Sequence, residues 1–227
     1  GRRIGRLRTL LQTTPAVGFG EVAALQQDTL MPSAAPLRDR LLPLLRRAAP
    51  HHLVNALQDW DLRYTPDSAG ALAFELLLYQ LCEALHGKRR PGLYSASWNA
   101  RGLAFEDILT ASDGVLTAAL RQAAPRAART LRRFGNWGRV HRLELRHFLG
   151  AVPLLGRRYR FAGAPAHGGN DTLWKSGNPL TGRRHRVSFA STARYIADMA
   201  DPDANWFVLL GGQDGWLGST TLVDQAE

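Results

Sequence analysis

The first 135 residues carry apolar positions at helical spacing. Leu7, Leu10 and Leu11 recur three and four residues apart, which predicts an amphipathic helix near the start of the chain. A proline inside a helix removes one backbone hydrogen bond and bends or breaks it. The pattern predicts further helices beginning at Phe19, over residues 37–45 with a bend at Pro43, over 105–109, and over 115–131 with an interruption at Pro125.

The longest apolar run, residues 69–85, predicts a buried helix. Asp67 and Ser68 precede the run and offer an N-cap. Apolar residues occupy most sides of this helix, which favours a position between two layers of structure over one on the surface. Cys82 lies within the run and is expected to pack as a small apolar side chain. It is the one cysteine of the chain, so the sequence permits no internal disulfide.

From Trp137 onwards the apolar period changes from helical spacing to two. Alternation along residues 141–147 places the two histidines at its ends on one face with Leu143 and Leu145, and charged residues on the other. Residues 206–210 are five apolar residues without alternation, which predicts a strand buried on both faces. Helices followed by strands define an α+β fold, with a mainly helical part over 1–135 and a mainly β part over 136–227 that fold together.

The chain of 227 residues has a net charge of +10, and all its basic residues except Lys88 and Lys175 are arginines. A basic surface raises the possibility of nucleic-acid binding. No helix-turn-helix, zinc-finger or RNA-recognition pattern accompanies the arginines. An arginine-rich surface, or one half of a charge-complementary interface, is therefore the favoured interpretation, and a non-catalytic basic binding module is the alternative. No apolar stretch reaches the roughly 20 residues that span a membrane, so no membrane partner is expected.

Two features suggest metal binding, but neither meets the requirements of a site. An acidic stretch, residues 198–205, resembles the start of a calcium loop, but counting from Asp201 the sixth and twelfth positions hold Trp206 and Gly212 instead of Gly and Glu. A hairpin turn is the better interpretation. His141 and His147 would lie about 20 Å apart along a strand, too far to share one metal. The sequence therefore predicts no metal site.

Two glycine-rich segments, residues 168–171 and 211–215, lack the spacing of a phosphate-binding loop. Tight turns, in which glycine supplies a positive φ, are the better interpretation. The chain also lacks the Gly-x-Ser-x-Gly elbow of a serine hydrolase.

Six segments, taken in order, resemble the C-terminal part of the large chain of the penicillin acylase family. They are Gln26-Gln27-Asp28-Thr29, Leu57-Gln58-Asp59-Trp60-Asp61, Trp137-Gly138-Arg139-Val140-His141, Gly168-Gly169-Asn170-Asp171-Thr172, Arg194-Tyr195-Ile196-Ala197-Asp198 and Gly211-Gly212-Gln213-Asp214-Gly215. The resemblance implies a four-layer αββα sandwich and an N-terminal-nucleophile amide hydrolase.

The resemblance also implies the chemistry. In this family an N-terminal Ser attacks the amide carbonyl while its own α-amine acts as the base, and an oxyanion hole stabilises the intermediate. The substrates are N-acyl derivatives of β-lactam nuclei, homoserine lactones and related amines, and no cofactor is needed. Family members are usually exported, so the resemblance implies a periplasmic or extracellular location.

The chain departs from the family pattern in one respect that concerns catalysis. Gly1 has no side chain to attack a substrate, and no Ser-Asn pair, the usual start of the catalytic chain, occurs in the sequence. We therefore expect no catalytic residue in this chain, an inactive chain in isolation, and a requirement for the remainder of the amidase (its small chain and the N-terminal part of the large chain).

One substrate-binding position is implied. Arg3, in Arg3-Ile4-x-x-Leu7, aligns with an arginine near the substrate pocket of the family. The alternative is that Arg3 is a solvated residue at a frayed helix end.

Overall fold

A computed structural model describes residues 2–14, 16–47, 49–87, 100–146, 152–153, 156, 160–191, 193–201, 203–209 and 219. Within these residues helices precede strands, which confirms the α+β prediction. The helices are α1 (Arg2–Thr13), α2 (Phe19–Gln26), α3 (Ala35–Leu45), α4 (His51–Gln58), α5 (Ala69–His86), α6 (Ala100–Thr110) and α7 (Asp113–Phe134), with 3-10 turns at Pro32–Ala34 and Trp137–Arg139; the strands are β1 (His141–Arg146), β2 (Arg160–Pro165), β3 (His185–Arg186), β4 (Ala193–Ala197) and β5 (Asn205–Leu209).

Helix α5 forms the centre of the hydrophobic core. Every residue from Gly70 to Leu78 is buried, and so are Leu81 and Cys82. The Ser68 hydroxyl accepts a hydrogen bond of 3.0 Å from the Ala71 amide, so the predicted N-cap is confirmed. Helices α4 and α7 pack against α5 and cover two of its sides. The prediction of a helix buried between layers is therefore confirmed.

Helix α7 packs against α5 through a stripe of small and apolar side chains. Its buried residues are Leu116, Ala119, Leu120, Ala123, Ala124, Ala127, Ala128 and Leu131. The predicted interruption at Pro125 is wrong, because the helix runs through it to Phe134. Pro125 and Arg121 are both exposed, so water can hydrate the Arg121 carbonyl that the proline leaves without its helical partner.

No helix in the described ranges has both the length and the apolar character needed to cross a membrane.

Strand β1 is central in a three-stranded sheet, antiparallel to β2 and parallel to β3. His141, at the start of β1, is buried. The register shifts between Leu143 and Leu145, where β2 contributes one extra residue. Such a bulge interrupts the strict alternation that the sequence suggests. His147 lies outside the described residues.

Strands β4 and β5 form a two-stranded antiparallel hairpin. Its connection contains the acidic stretch that resembles a calcium loop. The Asp198 carboxylate accepts from the Ala200 amide at 2.9 Å, and the Asp201 carboxylate accepts from the Asp203 amide at 3.0 Å. Both aspartates therefore cap their own turn, and the prediction of a hairpin turn is confirmed.

The prediction that residues 206–210 form a strand buried on both faces is wrong for the part that the structure describes. The exposed fractions of Trp206, Phe207 and Val208 are 60%, 53% and 47%. Among the described strands β5 pairs with β4, and the Phe19 ring of α2 covers one part of Trp206 at a centroid distance of 4.5 Å. Two strands and one ring cover too little area to bury both faces. Leu210 and residues 211–215 lie outside the described residues.

Candidate functional site

The first turn of α1 packs against other parts of the chain. The guanidinium of Arg2 lies 4.2 Å from the centre of the Phe105 ring on α6 and 3.5 Å from the Asp171 carboxylate. Arg3, the substrate-binding residue expected from the sequence, is partly buried, and its Nε has no hydrogen-bond partner among the described residues. This position differs from a solvated, frayed helix end. The role of Arg3 in binding a substrate stays a prediction.

A cleft with a volume of about 360 Å³ lies between α1, α2 and Arg63. Its apolar lining comes from both helices and the loop that joins them: Leu10, Leu11, Val17, Ala24 and Leu25. Its charged and polar lining comes from Arg6, Thr14, Glu21, Gln27, Asp28 and Arg63. The volume is within the range of small-molecule sites, roughly 300 to 1,000 Å³. This cleft is the candidate ligand site of the described chain.

Arg6, Asp28 and Arg63 form an ion cluster at one end of the cleft. The Nε of Arg6 donates to one oxygen of the Asp28 carboxylate at 2.6 Å. The Nη1 of Arg63 lies 3.5 Å from the other oxygen. The side chain of Asp28 is 7% exposed, so its charge is largely removed from water and depends on these partners.

Backbone contacts hold Asp28 in this position. The Leu30 amide donates to the Asp28 carboxylate at 3.0 Å, and the Trp174 amide donates to the Asp28 carbonyl at 2.8 Å. Residues 26–29, one of the six family-like segments, therefore link the cleft to Trp174, which follows the glycine turn at residues 168–171. Gly168 has a φ of +78°, which confirms the turn conformation predicted from its sequence.

Two of the family-like segments contribute tryptophans to a buried aromatic cluster around Tyr64. The Tyr64 ring lies 5.6 Å from Trp60 and 5.4 Å from Trp137, in edge-on contacts. The Trp137 indole donates to the Gly168 carbonyl at 3.0 Å. Trp60 and Trp137 are almost fully buried. These motifs therefore build the interior of the fold.

A second polar cluster lies inside the protein around Glu75 on α5. The Glu75 carboxylate accepts from the Tyr64 hydroxyl at 2.7 Å and from the Asn178 side-chain amide at 3.1 Å. Glu75 is 3% exposed. A buried carboxylate is tolerated when donors satisfy its oxygens, so this cluster fixes α5 against the loop that carries Asn178.

His141, His185 and Ser176 form a chain of hydrogen bonds next to this cluster. The Nδ1 of His141 lies 2.9 Å from the Nε2 of His185, and its Nε2 lies 2.8 Å from the Ser176 hydroxyl. The Ser176 hydroxyl donates to the His167 carbonyl at 2.5 Å. The His141 ring also stacks on Trp137 at 4.6 Å.

The contacts determine which ring nitrogens of His141 and His185 carry a hydrogen. Because Ser176 gives its one hydrogen to a carbonyl, the His141 Nε2 must donate to the serine oxygen. The His141 Nδ1 is then an acceptor, and the His185 Nε2 donates to it. Burial, with a smaller effect from His185, lowers the pKa of His141 to about 3. Burial also lowers the pKa of His185.

The Ser176–His141 pair resembles a nucleophile with its base, but it does not have that chemistry. Ser176 is 3% exposed and His141 is 0% exposed, so neither can contact a substrate. The hydrogen bond also runs from histidine to serine, whereas a general base must accept the proton of its nucleophile. This chain of hydrogen bonds therefore stabilises the fold.

In the part of the chain that the structure describes, no group of three or more His, Cys, Asp or Glu is placed to hold a metal ion. The expectations of no metal and no cofactor stay predictions.

Sequence reasoning placed His141 on the same face of a strand as Leu143 and Leu145 but missed its partners. His185 lies in a basic run and Ser176 in a loop, 44 and 35 residues from His141. In the neighbouring cluster, Glu75 lies in an apolar helix, 103 residues from Asn178. No spacing rule connects positions so distant. A Glu in the middle of an apolar helix was the one available signal, since a buried carboxylate needs partners.

The comparisons with known proteins agree with the order of motifs. The chain matches the model of the penicillin amidase family over residues 1–227. The chain therefore belongs to the penicillin amidase family, and the resemblance seen in the sequence is confirmed. Since this family is hydrolytic, the protein is an amide hydrolase in general terms. No curated protein matches the chain.

Proposed function

We propose that this chain is a C-terminal portion of the large chain of an exported amidohydrolase that cleaves N-acyl substrates, either β-lactam side chains or acyl-homoserine lactones. The family match along residues 1–227 is the observation that supports the proposal. The nucleophile would be an N-terminal Ser outside these residues, because the sequence contains no Ser-Asn pair. The remainder of the amidase would be the partner, and the location would be periplasmic or extracellular.

The proposed reaction has two steps. The Ser hydroxyl attacks the amide carbonyl, its proton passes through the α-amine to the leaving nitrogen, and the C–N bond breaks to release the amine. Water then attacks the acyl-enzyme ester, releases the carboxylic acid and restores the hydroxyl. The contribution proposed for this chain is a positive charge from Arg3 beside the substrate.

The purified native enzyme should contain a companion polypeptide that begins with Ser. Intact-mass analysis under denaturing conditions with N-terminal sequencing should find it beside any species of 25.0 kDa that corresponds to this chain. The same preparation, recovered from the periplasmic or secreted fraction, should release amine from a penicillin or from an acyl-homoserine lactone. Liquid chromatography of both products identifies the substrate class.

Two results would contradict the proposal. Full activity of the 227-residue chain by itself would show that the nucleophile lies within it. A complete preparation that hydrolyses no N-acyl amide would favour the alternative of a basic binding module.

The alternative of a basic binding module is supported by five exposed arginines of α7 that have no ion-pair partner among the described residues: Arg121, Arg126, Arg129, Arg132 and Arg133. It predicts nucleic-acid binding that weakens steeply as salt rises.

Arg3→Ala should lower kcat/KM of the complete enzyme by roughly 10- to 100-fold, since a hydrogen bond to a charged group contributes about 1.5 to 3 kcal/mol. Arg8→Ala is the matched control, because Arg8 lies on the same helix and is exposed. Steady-state kinetics on the best substrate measures the effect, and the melting temperature checks folding. Equal activities of the two variants would remove Arg3 from the substrate site.

A further inference from the structure

The cleft between α1 and α2 has a charged end and an apolar middle. Arg6 of α1 lies beside Asp28, two residues after the end of α2. Glu21, in the first turn of α2, lies seven residues before Asp28, which corresponds to about 10 Å of helical rise. The ion cluster of Arg6, Asp28 and Arg63 therefore occupies one end.

Two arginines and two aspartates meet at this end. Arg6 pairs with Asp28, and Arg63 pairs with Asp28 and, through its Nε at 3.8 Å, with Asp61. Arg6 binds Asp28 through its Nε, and its two Nη atoms form no hydrogen bond within the described part of the chain. A guanidinium has five N–H donors in a planar fork that suits a carboxylate. The charged end therefore has donors for a further anion.

The walls next to the charged end are apolar. Leu10 and Leu11 come from α1, Leu25 and Ala24 from α2, and Val17 from the loop between them. Leu11 and Val17 are each 46% exposed, so a ligand in the cleft would remove apolar surface from water. Asp28 and its backbone donors hold the charged end in place without a ligand.

We propose that the α1–α2 cleft binds carboxylates that have an aliphatic or aryl tail. The carboxylate pairs with the Nη donors of Arg6 and with Arg63, and the tail lies along the leucines towards Val17. The acid released by an amide hydrolysis belongs to this chemical class. The proposal rests on the contacts within this chain and not on the proposed function.

Isothermal titration of the protein with butanoate, hexanoate and octanoate tests the site without turnover. Each added methylene should increase the affinity about three- to fourfold, until the cleft is filled, because burial of one CH₂ has that effect. Octylammonium and octanol have the same tail and lack the negative charge. Both should bind at least tenfold more weakly than octanoate.

Three variants locate the binding. Ala24→Phe places a ring in the cleft from an exposed position, and it should weaken octanoate binding at least tenfold. Arg63→Met should weaken all three carboxylates about tenfold and leave octanol unchanged. Arg8→Met removes the same charge from an exposed position of α1 outside the cleft, and it should leave every affinity unchanged.

No binding of any carboxylate at millimolar concentration would overturn the proposal. Equal affinities for octylammonium and octanoate would also overturn the proposal. The same holds if the Ala24→Phe variant binds octanoate with the affinity of the wild-type protein. The titration needs neither a nucleophile nor a substrate. A complete preparation that binds octanoate but hydrolyses no N-acyl amide would therefore contradict the proposed function and support the cleft.

Discussion

Replacement of Gly70 by Ala should destabilise the protein by about 3 kcal/mol, at the upper end of the usual cost of overpacking a core. A Cβ at position 70 would lie 2.3 Å from the Cβ and Cγ of Trp60. Trp60 cannot easily move away, because its indole donates to the Arg63 carbonyl at 3.0 Å and its ring packs 5.1 Å from Phe74. Urea unfolding followed by far-ultraviolet circular dichroism measures the change.

Gly114→Ala is the matched control for this substitution. Gly70 and Gly114 are each the second residue of a long helix with a serine N-cap. A Cβ at position 114 would have no atom within 4 Å. Gly114→Ala should therefore stabilise the protein by about 0.5 to 1 kcal/mol, the usual gain when alanine replaces glycine at a compatible position. Equal stability of the two variants would show that Trp60 moves without cost.

This pair of glycines shows what the sequence can and cannot predict. The apolar period predicts both helices, and the N-cap at Ser68 marks the start of the first, because these signals act over a few neighbouring residues. The difference between Gly70 and Gly114 depends on Trp60, which approaches one helix start and not the other. Such a contact is tertiary, and no local pattern records it.

The two wrong predictions, the interruption at Pro125 and the buried strand at residues 206–210, also depend on tertiary contacts. Proline signals an interruption at position 125, but α7 continues because that side of the helix faces solvent and the rest of it is packed on α5. The apolar residues of β5 signal burial, but the burial of a strand depends on how many neighbours cover it. In α7 the tertiary packing overrides the helix-breaking propensity of the proline. In β5 the apolar residues favour burial, but too few neighbouring elements cover the strand to bury it.

The candidate cleft was also beyond the reach of sequence reasoning. Arg6 looks like one of many arginines in a basic chain, and its contact with Asp28 spans 22 positions. The resemblance to the amidase family indicated Arg3 instead. The cleft depends on the placement of α1 beside α2, which brings Arg6 and Asp28 together at one end and leaves leucines of both helices along the sides.

His141 makes the stability of the fold dependent on pH. In the folded protein its Nδ1 accepts a hydrogen bond from His185, so an added proton must break that bond. Its pKa of about 3 is below the value of about 6.5 for a histidine in an unfolded chain. Above pH 6.5 the neutral ring adds stability, and this contribution falls as the pH decreases towards 3.

The variant His141→Gln should therefore lose less stability in acid than the wild-type protein. Where the unfolded chain binds one more proton than the folded chain, the free energy of unfolding changes by about 1.4 kcal/mol per pH unit. Between pH 6.5 and 4.5 the wild-type protein should lose about 2 kcal/mol more than His141→Gln. Urea unfolding at several pH values measures both slopes.

His51→Gln is the control for this experiment, because it removes an exposed histidine at the start of α4 and leaves the buried cluster intact. Its slope should match that of the wild-type protein. A wild-type slope equal to that of His141→Gln would mean that His141 is not held neutral by the fold. Burial lowers the pKa of His185 as well, so this ring adds acid sensitivity of the same sign, which the Arg183 carbonyl 3.1 Å from its Nδ1 partly offsets. The comparison of the wild-type protein with His141→Gln isolates the part that comes from His141, the ring whose two nitrogens are both already engaged.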